Sequence, residues 1–298
     1  MSARLIDGRA IAQELRREIA SRIEELRKQG VVPGLAMVLA GEDPASLTYV
    51  GAKTKACEKL GLHSETLRLP ATADTQSLLH AVRQLNQRKD IHGVLVQLPL
   101  PSDVDPRVVS EIVLPEKDVD GFHPLNTGRL MAGQESFVPC TPAGILELLI
   151  RSGLEPGGRE VVILGRSAIV GRPLALLLMA KKKGGNATVT VCHTATTDLE
   201  SHCRRADVLI VAMGRPEAIH GDQIKPGAVV IDVGVHRRID PDAPRGYRLV
   251  GDVHFDSARE KASWITPVPG GVGPMTITML VNNTVLAAER ISGLRSAG

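Results

Sequence analysis

Four short, predominantly apolar runs, at residues 160–164, 187–192, 207–212 and 228–232, constrain the fold more than any other feature of the chain. Each has the length of a strand rather than a helix, and continuous apolar strands of this kind belong to a parallel sheet covered on both faces. Helical patterns near 171–182 and 197–205 separate the first three runs. Strand-helix alternation of this sort predicts a Rossmann-like, doubly wound parallel sheet.

A similar rhythm comes earlier in the chain. A strand is expected at 34–40, a helix at 45–60 ending at Gly61, a strand near 64–69, a helix at 74–88 and a strand near 91–98. Before these, Ile11, Leu15, Ile19, Ile23 and Leu26 recur at helical spacing and Gly30 follows as a stop, so the chain is expected to move directly into a long amphipathic helix. Residues 99–141 are rich in Pro, Asp and Gly and interrupt the alternation, as a cleft wall would. A helix leads from Thr141-Pro142 into the second run, and after two prolines and three glycines in 265–273 a helical pattern resumes over 275–292. The fold class is therefore α/β, with two α/β domains flanking a cleft and the second of them Rossmann-like.

Composition narrows the function classes. An apolar content of 43% over 298 residues fills a sizeable core and excludes a disordered chain. With three Phe, two Tyr and one Trp that core must be aliphatic, which makes Tyr49, on the 45–60 helix, conspicuous. The net charge is only +3, and the one basic run, Lys181 to Lys183, reads as a solvated helix end, so no nucleic-acid partner is expected. No apolar stretch reaches the roughly 18 residues of a membrane span, and the protein is expected to be soluble and cytoplasmic. Cys57, Cys140, Cys192 and Cys203 are widely spaced with no CxxC pair, which suits a reducing compartment. Cys192 and His193 would point to opposite faces of a strand, so no metal site is expected.

The run at 160–164 leads into Gly165-Arg166-Ser167-Ala168-Ile169-Val170-Gly171, and a helix follows. Gly165 permits a tight turn, Gly171 a close helix-to-sheet approach, and the helix start offers N–H groups to an anion. The middle glycine of the usual GxGxxG turn is replaced by Ser167, so the motif alone is equally a structural glycine turn. The second strand of the unit ends in His193-Thr194 without the carboxylate that would repel a 2′-phosphate, and Arg166 and Thr194 could bind one. This favours NADP over NAD. Val235, just past the strand 228–232, is a candidate backbone contact to the cofactor.

Tyr49 and Lys53 are four apart on a helix and share a face. An aromatic plate beside a cation suits a flat heterocycle; a packed Tyr beside a solvated Lys is the plainer reading. Gln97, followed by Leu98 and Pro99, ends a buried strand at an edge where such sheets hold ligands, and its amide could orient a Lys ammonium. Asp118 and Asp120 lie in a Pro- and Gly-bounded loop, either as turn carboxylates or, for Asp120, as an acceptor for an amino-heterocycle.

Five segments occur in an order that resembles the bifunctional methylenetetrahydrofolate dehydrogenase/cyclohydrolase (FolD) family over nearly the whole chain: Tyr49-Val50-Gly51-Ala52-Lys53, Gln97-Leu98-Pro99-Leu100-Pro101, Lys117-Asp118-Val119-Asp120-Gly121, Gly165-Arg166-Ser167, and the run from Thr266 to Thr276. The resemblance implies a homodimer with a catalytic domain at 1–140 plus 274–298 and an NADP domain at 141–273. It implies NADP-dependent oxidation of 5,10-methylenetetrahydrofolate and hydrolysis of the methenyl product to 10-formyltetrahydrofolate. The site residues implied are Lys53 as acid/base, Gln97 holding it, Asp120 anchoring the pterin, and Tyr49 with the loop residues Pro269, Gly270, Gly271 and Gly273 positioning the rings. Thr194 stands where family members often carry Ser or Arg, which bears on cofactor preference rather than on reaction class. A dehydrogenase with one activity and a silent nucleotide-binding protein are the competing readings.

Overall fold

A computed structural model describes residues 2–243 and 246–295, and the chain divides into two compact units. One unit comprises Glu14–Cys140 with the chain from Ile277 onward. At its centre lies a three-stranded parallel sheet in the order His63–Leu69, Gly34–Ala40, Gly93–Val96. All seven residues of the middle strand are buried, as its unbroken apolar sequence requires. Helix Thr75–Gln87 packs Leu78, Val82 and Leu85 against Val38 and Val94 of the sheet. Helix Pro44–Leu60 starts where the Asp43 side chain accepts from the Ser46 N–H, with proline in its first turn, and stops where Gly61 turns left-handed at φ 72°.

Residues 99–141 are more regular than their composition suggests. They contain helices Pro106–Ile112 and Pro124–Met131, each opened by a side-chain cap, Asp105 or His123, followed by proline. Proline just after a cap is a helix start as well as a turn signal, and at seven and eight residues these helices are too short to show a periodicity. The strand expected over 91–98 is shorter, Gly93–Val96.

The other unit comprises the chain up to Gln13 with Thr141–Thr276. Its six-stranded sheet runs Arg4–Leu5, Trp264–Ile265, Val229–Asp232, Val208–Val211, Glu160–Leu164, Thr188–Cys192, with every pairing parallel. The four apolar runs thus form four neighbouring strands, and Val162, Leu164, Leu209, Val211 and Val230 are buried together in one core. Thr188–Cys192 departs from the expectation of burial on both faces: it is an edge strand and only Cys192 is fully buried. The chain opens on a two-residue strand, not directly on the helix Gly8–Lys28. Arg4 pairs with Trp264 and Leu5 with Ile265, and this brings the chain up to Gln13 into a unit that the sequence reading had begun only at 141. An antiparallel pair, His236–Ile239 with Tyr247–Val250, and helix Phe255–Lys261 complete the unit. Among the described residues no helix is long and apolar enough to cross a membrane.

Candidate active site

Helix Pro44–Leu60 carries Tyr49 and Lys53 on one side. Tyr49 is 47% exposed, so its ring is a surface plate, not part of the core. Lys53 is half-buried and its Nζ donates to Gln97 Oε1 at 2.9 Å. Gln97 follows the strand Gly93–Val96; its backbone N–H still donates to the Val38 carbonyl, and its Nε2 donates to the Leu98 carbonyl at 2.7 Å. With the amide nitrogen committed there, the oxygen is left for the ammonium, which has only donors to offer. Leu98 is half-buried and Pro99 exposed, and the peptide bond between them is cis.

The loop bearing Asp120 is held from three directions. Lys117, buried, donates through Nζ to the carbonyls of Asn86 at 2.8 Å and Arg88 at 2.6 Å, closing the end of helix Thr75–Gln87. Asp118, also buried, accepts from the N–H groups of Phe122 at 3.1 Å and His123 at 2.9 Å and from Asn126 Nδ2 at 2.8 Å. The Asn283 amide donates to the carbonyls of Val119 at 2.8 Å and Val138 at 3.0 Å. Asp120 therefore sits on a rigid backbone. Desolvation pushes its carboxyl up to about 6, against the opposing pull of the Lys53 charge. Cys140 Sγ lies 3.8 Å from Asp120 Oδ1, and burial raises its thiol well above the ordinary range, so it stays a neutral donor. Cys57 is buried, its thiol pushed up to about 12 by burial, and packs as an ordinary helix cysteine.

Lys53, Gln97 and Asp120 are thus brought together as an amine, its amide holder and a carboxyl that burial raises to about 6. Asn283 and Cys140 went unrecognised in the sequence. The only signal for Asn283 was the polar run Asn282-Asn283-Thr284 interrupting the predominantly apolar helix at 275–288.

In the other unit the strand Glu160–Leu164 leads to a cavity of about 360 Å³ lined by Gly165, Arg166, Ser167, His193, Thr194 and Arg215 among others. Gly165 has φ +125°, and a Cβ there would lie 2.2 Å from the Ala212 carbonyl oxygen. A Cβ on Gly171 would lie 2.0 Å from the Gly165 oxygen, so the close approach inferred from the sequence is a steric requirement. Ser167, in place of the middle glycine, accepts the Val170 N–H through Oγ at 3.1 Å and stiffens the turn. Thr194 is presented by a turn in which the His193 N–H donates to Thr196 Oγ1 at 2.9 Å. Gly171 and the 45% exposed Val235 are not among the residues lining this cavity. Arg215 is, and the sequence reading had not selected it. Among the described residues, two guanidinium groups and no acidic side chain line the cavity, a donor set that fits a dinucleotide carrying a 2′-phosphate.

The loop holding Pro269, Gly270, Gly271 and Gly273 follows the strand Trp264–Ile265 in the same unit. Gly270 has φ +119°, and a Cβ on Gly271 would meet Thr266 Cβ at 2.6 Å; a Cβ on Gly8 would in turn meet the Gly271 oxygen at 1.9 Å. These glycines are demanded by backbone packing, whereas Gly273 faces open space.

A glycine turn opening a doubly wound sheet onto a basic cavity defines a dinucleotide-dependent α/β enzyme, and the other unit holds Lys53, Gln97 and Asp120 together. Comparison with known proteins makes this more specific. The model of the tetrahydrofolate dehydrogenase/cyclohydrolase catalytic domain matches residues 6–120, and that of the family's NAD(P)-binding domain matches 139–292. The chain belongs to the tetrahydrofolate dehydrogenase/cyclohydrolase family. It is 53% identical to the bifunctional protein FolD of Moorella thermoacetica over 97% of this chain and 100% of that one. Among solved structures, the FolD enzyme of Trypanosoma brucei, complexed with NADP cofactor and inhibitor, superposes with a TM-score of 0.92 at 41% identity, covering 99% of this chain and 100% of the other. The Campylobacter jejuni bifunctional enzyme gives 0.90 at 42% identity, covering 97% and 99%. These bifunctional relatives support the two-activity reading over a dehydrogenase with one activity or a silent binding protein.

Proposed function

We propose that the protein oxidises 5,10-methylenetetrahydrofolate with NADP and hydrolyses the resulting 5,10-methenyl cation to 10-formyltetrahydrofolate. The observation that carries this reading is the Lys53 ammonium held at 2.9 Å by Gln97, beside a carboxyl raised to about 6. NADP, when bound, supplies the hydride acceptor; Arg166, Ser167 and Thr194 would hold it. The carbon between the two folate nitrogens loses a hydride, and the nitrogen lone pairs stabilise the cation, so this step needs positioning rather than a strong protein base. Tyr49, four residues before Lys53, offers its exposed ring as the plate for the folate.

Hydrolysis does require a proton to move. Water adds to the cationic carbon and loses a proton, and the bond from that carbon to one ring nitrogen breaks as the nitrogen is protonated. Lys53 is the acid/base for this transfer and Gln97 fixes its direction. Asp120 anchors the amino-pterin end, and Leu98 and Pro99 form the adjoining wall. We further propose a cytoplasmic homodimer, the arrangement implied by the family resemblance.

The test is an assay of purified protein with methylenetetrahydrofolate and NADP or NAD, following reduced nicotinamide and methenyl decay together. In Lys53→Met, methenyl hydrolysis falls by about 10²-fold or more, the range of general acid/base catalysis, while NADP binding is retained. Undiminished hydrolysis in that variant removes Lys53 from the mechanism.

A further inference from the structure

We propose that Asp252 is a positioning residue for the dinucleotide cavity, one that sets the wall formed by Met213 and Arg215 by accepting three successive backbone N–H groups. The inference rests on the NADP reading above. Asp252 is fully buried. The Met213 and Gly214 N–H groups donate to its Oδ2 at 2.6 and 3.0 Å, and the Arg215 N–H donates to its Oδ1 at 2.9 Å. His236 Nε2 lies 2.7 Å from the same Oδ1.

Three consecutive N–H groups converging on one point make the kind of backbone nest that elsewhere captures a free anion. Here the anion is part of the chain. Met213 and Arg215 line the cavity that also holds Gly165, Arg166 and Ser167, whereas Asp252 does not reach it and acts only through the loop. Because the loop amides are spent on Asp252, an anion in the cavity must be held by side chains and by the Gly165 turn.

Asp252 is itself held in place. Its N–H donates to Asp232 Oδ1 at 2.9 Å, the Val253 N–H to Asp232 Oδ2 at 2.9 Å, and the Gly234 N–H to Asp232 Oδ1 at 3.0 Å. The two carboxylates fit only because glycines flank them: a Cβ on Gly251 would lie 1.8 Å from Asp232 Oδ2, and one on Gly234 would lie 2.5 Å from Asp252 Oδ1. The turn after Asp232, the Met213–Arg215 loop and the segment 251–253 are thereby tied at the carboxyl ends of the strands Val208–Val211 and Val229–Asp232, where a doubly wound sheet receives its ligand. Met213 packs against the core, but Gly214 and Arg215 are exposed, so their N–H groups are placed by this carboxylate rather than by burial.

Two measurements test the proposal. In the wild-type protein, the amides of Met213, Gly214 and Arg215 should exchange with deuterium far more slowly than open-loop amides; exchange at open-loop rates overturns it. Asp252→Asn keeps the shape but places an NH2 group where N–H groups now donate. The expected result is a rise of about tenfold or more in both Kd and KM for NADP, with kcat at saturating NADP changed by less than about threefold. Unchanged NADP affinity overturns the proposal, and so does a parallel collapse of KM, kcat and methenyl hydrolysis, which would mark a merely structural role. Wild-type protein that fails to bind NADP in the same titration would sink the functional reading itself, a result distinct from a variant that binds as well as wild type.

Discussion

At the scale of single residues, the site is stressed in a way that pH exposes. Asp120 has its carboxyl pushed up to about 6 by desolvation, against about 3.9 for a solvated Asp. Between those two values the folded state binds a proton that the unfolded state has lost, so this residue's contribution to stability falls as pH rises through that window. Asp120→Asn removes the titration. Its stability relative to wild type should be near parity at pH 4 and exceed it by on the order of 2 kcal/mol at pH 7, with loss of activity. Urea denaturation of both proteins across that range checks this; a difference that does not vary with pH removes the desolvated carboxyl from the account. Lys53, Gln97 and Asp120 were legible in the sequence as candidates because their residue types stand out among their neighbours, and the 2.9 Å Lys53–Gln97 bond is the contact expected of that pair. The partners that aim Asp120, namely Asn283 and Cys140, were not, because an amide or a thiol declares no role until its surroundings are known.

At the scale of elements, most spans followed from local chemistry. The strands Gly34–Ala40 and Glu160–Leu164 fall at the expected residues, and the 45–60 helix begins one residue earlier, at Pro44. Capping by Asp43 and the left-handed Gly61 set the ends of that helix and hence the place of Lys53. The turn at Gly165 depends equally on local sterics. Gly171→Ala drives a Cβ to 2.0 Å from the Gly165 oxygen. The helix must back away from the sheet, with an expected cost of about 1–3 kcal/mol and a weaker NADP complex. Thermal unfolding with and without NADP reads both effects; an unchanged melting temperature would mean the turn relaxes at no cost. The elements that escaped the sequence reading, among them Arg4–Leu5, Trp264–Ile265, the pair His236–Ile239 and Tyr247–Val250, and the helices Pro106–Ile112, Pro124–Met131 and Phe255–Lys261, are too short to display a period.

At the scale of the whole molecule, residues far apart in sequence complete each unit. Ile6 is 1% exposed, and the N–H groups of Arg4 and Ile6 donate to the carbonyls of Ser263 and Ile265. Deleting residues 2–6 removes this strand and the burial of Ile6, worth about 2 kcal/mol, and should lower the melting temperature by about 4–8 °C in calorimetry. An unaltered transition would show that the strand contributes nothing to the fold. By itself the sequence determined the parallel α/β architecture and the glycine turn at Gly165, and offered Lys53, Gln97 and Asp120 as candidates, because periodicity, capping and turn sterics act over a few residues. Only the tertiary structure decided that the chain up to Gln13 joins the nucleotide-binding unit, that Asn283 reaches the Val119 carbonyl, and that Asp252 gathers the Met213–Arg215 amides. Those choices are made by burial and hydrogen-bond satisfaction between distant segments, and no local pattern encodes which partner will satisfy them.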